Sequence, residues 1–572
     1  MILRALYDYY YRCGNLPAKG MELKEIGFLI VIDKKGNFLR FEDRRINKKQ
    51  AQKFLVKKHI GRTSAIVANH LYDNSGYVFG YSEKGDYIPQ YLTFKEKVKS
   101  IYESNPNNED IKAVYKFYQQ EQTDILEQLR SDPLWPEIEK NLKQKYSTFS
   151  FLIEGDTKIV AEKVELMDLD NNSADEGQIC LVTGKRGKTV ETTTTTMIPG
   201  SQATAKLVSF QIKSGYDSYG KYKGGNAPIS EDAEFAYTTA LNHLLESNSR
   251  NKFMVGTRTF VFWASKNDEA GQKAEESIFN MFGFSEQEDD PNRNIEQVRK
   301  VFTAIYSGQI KTTTDEMFYI LGLAPNSARI AVVYWAEIPL RVFAGTICKH
   351  FDDMEVVDTR LEKKPYMSLR DILRTVTLGG KVSDATPNLP DALVKSIFQG
   401  IPYPQTLFAS CIRRIRAESG DKDKNALHIT RAAIIKAFLN RYDNKNKKIT
   451  VMIDKDNNNQ GYLCGRLFAV LDKIQEEANN QHTIRERYMN SASSTPAAVF
   501  STILNLSNHH VENLKSEARK IYFEKLKQEI MSKIDANGFR AQLDLQDQGR
   551  FFIGYYHQRQ DFFTKNNENN NE

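Results

Sequence analysis

Ile26-Gly-Phe-Leu-Ile-Val-Ile32, Asp33-Lys-Lys-Gly36 and Asn37-Phe-Leu-Arg-Phe41 follow one another near the start of the chain. The first is rich in β-branched and aromatic residues, the second has turn chemistry, and the third resumes an apolar run, so the three predict a β-hairpin. Upstream, Leu3, Leu6, Tyr7 and Tyr10 recur at helical spacing. Downstream, residues 92–146 read as helical, interrupted by Asn105-Pro-Asn-Asn108. Strand signals then dominate at 149–153, 178–182, 207–212 and 257–262, broken by a helix over 233–246 with Ser230 as its N-cap. A further strand is expected at Arg329-Ile-Ala-Val-Val-Tyr-Trp335. From about residue 341 the periodicity is helical, at 369–376, 393–397, 412–416, 432–439, 465–479, 497–506 and 511–534. The expected fold class is α+β. Its parts are a mixed region over 1–340, a basic helical connector over 341–450, a C-terminal helical bundle over 452–563, and an Asn/Glu-rich tail over 564–572 that reads as disordered.

Hydrophobic residues make up 40% and charged residues 27% of the 572, which excludes wholesale disorder and collagen-like repeats. No run approaches the roughly 18 apolar residues of a membrane span. Asp8 interrupts the N-terminus before a signal-peptide core develops. Cys13, Cys180, Cys348, Cys411 and Cys464 are far apart, as expected of reduced thiols in a cytoplasmic protein.

The net charge of +6 is unevenly spread: +6 over 1–150, −7 over 151–340, +8 over 341–450 and −1 over 451–572. Regional asymmetry of this kind points to a polyanionic partner. The densest cluster holds Arg44, Arg45, Lys48, Lys49, Lys53, Lys57, Lys58 and Arg62, with His59 and no intervening acid. Arg45, Lys49, Lys53 and Lys57 are four residues apart, which on a helix places them along one face. Phosphate backbone is the anion that would neutralise them.

Familiar catalytic and metal motifs fail on inspection. Gly187-Lys-Thr189 resembles the end of a phosphate-binding loop, but Val182 stands where that loop needs glycine. Asp168-x-Asp170-x-Asn172 and Asp454-x-Asp456-x-Asn458 resemble calcium loops but lack the turn glycine and the terminal glutamate. No metal-binding histidine spacing or nucleophile elbow occurs. The residues imply no enzyme, metal or cofactor. What remains is two loops rich in Gly, small polar residues and cations. One is Met197-Ile-Pro-Gly-Ser-Gln-Ala203, leading to Lys206; the other runs from Tyr216 to Glu231 into a helix. Glycines allow close backbone approach, lysines attract phosphate and tyrosines stack on bases.

Ser218-Tyr-Gly-Lys-Tyr-Lys-Gly-Gly-Asn-Ala-Pro-Ile-Ser-Glu231, continuing Phe235-Ala-Tyr-Thr-Thr-Ala-Leu-Asn242, resembles the large subunit of subtype I-C CRISPR interference (Cascade) complexes. Also similar are Met1-Ile-Leu-Arg-Ala-Leu-Tyr7, Asp73-Asn-Ser-Gly-Tyr-Val-Phe-Gly80, Cys180-Leu-Val-Thr-Gly184, Tyr319-Ile-Leu-Gly-Leu-Ala-Pro-Asn326 and Gln548-Gly-Arg-Phe-Phe-Ile-Gly-Tyr-Tyr-His-Gln558. The run Thr192–Thr196 departs from the family pattern. The resemblance implies a non-catalytic subunit that recognises the PAM duplex, assists DNA opening, stabilises the R-loop and helps recruit a helicase–nuclease. The implied partners are the other Cascade subunits with guide RNA, double-stranded target DNA and its displaced strand. A small helical subunit from an internal start near Met452 is a further implied product.

On this reading Arg45, Lys49, Lys53, Lys57, Lys58, Arg62, Thr63, Ser64, Asn69 and Asn74 contribute to a PAM-duplex surface. Gln202, Lys206, Lys221, Lys223 and Asn226 supply groove or displaced-strand contacts, and Arg413, Arg414 and Arg416 form a second cluster. The alternatives are a guide-RNA processing nuclease and a purely structural scaffold of the same complex.

Overall fold

The structure, a computed structural model, describes all residues except 49, 61–64, 83–84, 145, 168–176, 212, 214–216, 283–290, 360–366, 422–424, 443–447 and 569–572. It divides into two compact units. One comprises residues 13–192 and 210–240; the other comprises 1–12, 193–209 and 241–572.

In the first unit, the expected hairpin is present as strands Phe28–Ile32 and Phe38–Asp43. Phe28–Ile32 also pairs in parallel with Thr148–Ile153, which pairs antiparallel with Tyr72–Asn74. This central position explains why Phe28–Ile32 is apolar at every residue rather than alternating: the whole strand is buried. At the hairpin turn, Asp33 Oδ1 accepts from the backbone N–H of Lys35 and Asn37. Gly36 has φ +87°, and a Cβ there would lie 2.6 Å from the Phe117 nitrogen, so only glycine lets the turn rest on the next helix. The predicted helical stretch comprises Ile88–Ser104, Glu109–Phe117, Gln122–Arg130 and Trp135–Asn141. Asn108 caps the second of these by accepting from Asp110 and Ile111. Phe28, Phe79, Trp135 and Phe149 anchor the core they share with the sheet.

The second unit contains an antiparallel meander of Lys252–Val255, Arg258–Ala264, Met317–Asn326 and Arg329–Pro339. Helices follow from Leu340–Met354 to Leu545–Glu568 and share one apolar core with the sheet. The fold is therefore α+β. Among the described residues, no helix is long and apolar enough to cross a membrane.

Several local expectations change. The expected strand at 178–182 is only Gln178–Ile179, because the chain turns at Gly184, whose N–H donates to the Cys180 carbonyl. Residues 207–211 form no strand; beside them Lys206 makes a single bridge to Arg329. The helix expected over 511–534 is split between Pro496–Glu512 and Glu517–Met531 by the turn Asn513 to Ser516, whose Leu514 is buried in the core. The last helix continues to Glu568, past the expected start of the tail at 564. The boundaries at 340 and 450 do not coincide with a division between compact units, since the apolar core runs through both.

One buried acid makes this unit pH-sensitive. Glu316, 1% exposed and with neither carboxyl oxygen hydrogen-bonded among the described residues, is pushed up to about 7 by burial and then by the charge of Asp268, with Lys266 opposing weakly. Its folded pKa lies above its unfolded value, so its contribution is complete below about 4.5 and is lost as pH rises through 7. The loss amounts to roughly 3 kcal/mol at 1.36 kcal/mol per pKa unit. Glu316→Gln is expected to raise the denaturant midpoint at pH 8 and leave it nearly unchanged at pH 5. An equal effect at both pH values would rule out this ionisation as the cause.

Candidate nucleic-acid interface

Among the described residues, the basic run over 44–60 contains no helix. Arg45–Asn47 and Lys53–Lys57 are strands, the latter antiparallel to Met21–Glu25. A spacing of four fits both a helix and a strand; the buried Phe54 and Val56, alternating with Lys53 and Lys57, decide for the strand. Lys53 and Lys57 therefore do share one face, but by a period of two. Lys49, Arg62, Thr63 and Ser64 lie outside the described residues.

Nor is the cluster uncompensated in space. Arg44 pairs with Glu42 at 2.6 Å. Arg45 pairs with Asp43 at 2.6 Å and Glu137 at 2.8 Å, and its guanidinium lies 5.3 Å from the Phe28 ring. Asp43, then Glu137, raises the Arg45 pKa. Arg45 is thus committed to two carboxylates within its own unit. Lys58 places its Nζ 5.6 Å from the Phe235 ring.

Asn69 and Asn74 both line an open cleft of about 500 Å³, together with Lys24, His59, Ile60, Gln144, Ser147 and Thr148. Buried Asn69 accepts from Ile60 N–H at 3.0 Å and its own N–H donates to Asp73 at 2.9 Å. The single Tyr72 O–H is shared between two acceptors, the Lys57 carbonyl at 2.8 Å and Glu22 at 3.0 Å. Exposed Asn74 caps the short helix Ser75–Val78 through its side-chain oxygen. Burial would raise the Glu22 carboxyl, but its hydrogen bond to His59 at 2.7 Å holds it below the usual range. The cleft offers hydroxyls, carboxamides, an imidazole and an ammonium, beside the Asp73 carboxylate, whose oxygens accept from the N–H groups of Asn69 and Asn74; the carboxamides, hydroxyls and ammonium are suited to phosphates and base edges. Lys24, Gln144, Ser147 and Thr148 were not singled out from sequence, because they belong to different strands and turns and show no common spacing.

The two Gly-rich loops belong to different units. Gln202 and Lys206 run against the hairpin of Met317–Asn326 and Arg329–Pro339: Gln202 N–H donates to Ser327, and Ile330 N–H donates to Lys206. In the other unit, Lys223 pairs with Glu191 at 3.0 Å, which raises its pKa, and lies over the Tyr222 ring. Asn226 donates to the Ser218 carbonyl at 2.9 Å. Gly224 packs so closely that a Cβ would approach the Val190 carbonyl oxygen to 2.1 Å. Lys221 and Tyr219 remain exposed at the turn. Asn226 thus shapes the loop while Lys221 projects from it.

Arg413, Arg414 and Arg416 lie on helix Gln405–Glu418. Arg414 is bound to Glu418, which also binds buried Arg431. Burial would raise the Glu418 carboxyl, but these two arginines hold it below the usual range. Arg416 donates to Gln548, leaving Arg413 as the exposed member of the three. Residues 6–563 match the family model for a CRISPR-associated protein, Cas_Csd1. No curated protein matches the chain.

Proposed function

The chain belongs to the Cas_Csd1 family of CRISPR-associated proteins, and from that premise we propose that it is the non-catalytic large subunit of a subtype I-C Cascade complex. In this reading it acts in the cytoplasm, recognises the PAM duplex, assists its opening, stabilises the R-loop and helps recruit the helicase–nuclease. The observation that carries the reading beyond family membership is the polar cleft that gathers Asn69 and Asn74 with Lys24, His59 and Thr148. Guide–target pairing supplies sequence recognition over the long heteroduplex, so the protein needs to read only a short duplex and the backbone. Exposed Lys221 and Arg413 are suited to phosphate contact elsewhere on the chain.

The complex assembled with and without this chain should be titrated with duplexes differing only in the PAM, at two salt concentrations. PAM preference is expected to vanish when the chain is omitted. Lys221→Gln in the full complex should weaken all duplexes alike and reduce the salt slope by about one unit. Preference that survives without the chain would assign recognition to another subunit.

A further inference from the structure

Gln144 occupies the turn between helix Trp135–Asn141 and strand Thr148–Ile153. Its N–H donates to the Asn141 carbonyl at 2.9 Å, and its carbonyl accepts from Ser147 at 3.0 Å. Next along the turn, Tyr146 donates from its hydroxyl to the Asn141 side chain, while its carbonyl accepts from Gly27 N–H. A Cβ on Gly27 would come within 2.6 Å of that carbonyl oxygen, so the turn is pressed onto the sheet. The backbone of Gln144 is therefore held in place, yet its side chain is exposed at the cleft and has no hydrogen-bond partner among the described residues.

The sheet places a second carboxamide in the same cleft. Asn74 is the register partner of Thr148. Its side-chain oxygen caps Ser75–Val78, which leaves the amide nitrogen as a donor toward the cleft. A rigid backbone carrying an uncommitted carboxamide suits selective recognition, because little has to be ordered on binding. A carboxamide presents one donor beside one acceptor, the complement of the N6/N7 edge of adenine.

We propose that Gln144 is a sequence-reading side chain of this cleft, hydrogen-bonding the adenine edge of one A·T pair in the PAM duplex, with Lys24 on a neighbouring phosphate. This rests on the reading that the chain meets the PAM duplex. The test is a panel of duplexes carrying each base pair at each PAM position, titrated against the full complex bearing wild-type chain, Gln144→Ala, Gln144→Glu or Lys24→Gln. Gln144→Ala is expected to lower discrimination at a single A·T position by roughly 5- to 150-fold, the range for one bidentate contact, with the salt slope unchanged. Gln144→Glu should lose the same preference, since it lacks the donor. Lys24→Gln should reduce the slope by about one unit and leave the preference intact. Uniform weakening by Gln144→Ala, no effect, or loss of preference at a G·C pair would each overturn the proposal. If wild-type chain confers no PAM preference, the underlying reading falls with it; if preference persists in Gln144→Ala, only the assignment of Gln144 falls. Unchanged thermal unfolding of the variants checks that the turn itself is intact.

Discussion

Gly465→Ala is expected to destabilise the helical unit by about 3 kcal/mol or more, beyond the usual range for a surface substitution. A Cβ at Gly465 would lie 1.9 Å from the Phe551 carbonyl oxygen and 2.9 Å from the Tyr555 nitrogen. The same crossing brings Gly461 against the Asp547 carbonyl, at 2.4 Å, and Gly554 against that of Tyr462, at 2.3 Å. Helices Gln460–Asn479 and Leu545–Glu568 therefore meet backbone to backbone, where no side-chain rotation relieves a clash. Separating them loosens Phe468 from Phe551 and Tyr555. Gly420→Ala is the control, since its Cβ would meet only the Glu486 carbonyl, at 3.7 Å. Chemical denaturation should show a large drop in midpoint for Gly465→Ala and a small one for Gly420→Ala. Coincident transitions would refute the close crossing.

Asp353→Ala should cost about 3–5 kcal/mol, because it leaves a buried guanidinium without its counter-charge. Arg441 Nε donates to Asp353 at 2.5 Å, while its Nη1 donates to the carbonyls of Ser396 and Ile401. Its guanidinium also lies 4.3 Å from the Tyr403 ring. Both members of the pair are buried. Lys349 is the second cation on Asp353, but it is half exposed and contributes less. Buried Lys436 donates to the carbonyls of Asp352 and Asp353, and its burial lowers its pKa. Arg441→Met in the Asp353→Ala background should recover much of the loss. A double-mutant cycle read by urea unfolding measures the coupling. A single-mutant cost below about 1 kcal/mol would show that Arg441 finds water or another partner.

The hairpin at 26–41 was legible because every local signal agreed: an apolar run, an Asp-to-Gly turn and a second apolar run. The Ser230 cap was legible for the same reason, and its hydroxyl accepts from Ala233 at 3.3 Å. The basic run misled because spacing alone does not separate the two periods, and because its charges look uncompensated only when Glu42 and Asp43, just upstream, and Glu137, brought in by the fold, are left out. The Met197–Ala203 and Tyr216–Glu231 loops are near in sequence, but the first is held against a hairpin more than a hundred residues further on.

The amino-acid sequence by itself determined the α+β class, the helical C-terminal half and the resemblance to a CRISPR-associated family, since each rests on local periodicity or on long strings of residues. Only the tertiary structure decided which polar groups share a cleft and which cations are already paired. Asn74 and Thr148 become neighbours through strand register, and Gln144 joins them through a turn fastened to Gly27. Arg45 and Arg414 are withdrawn from the candidate surface by carboxylates that hold them. The cleft and the Arg45–Glu137 pair depend on distances of a few ångströms between segments far apart in sequence, which no local pattern encodes, whereas Asp43 and Glu418 lie close along the chain to the arginines they hold.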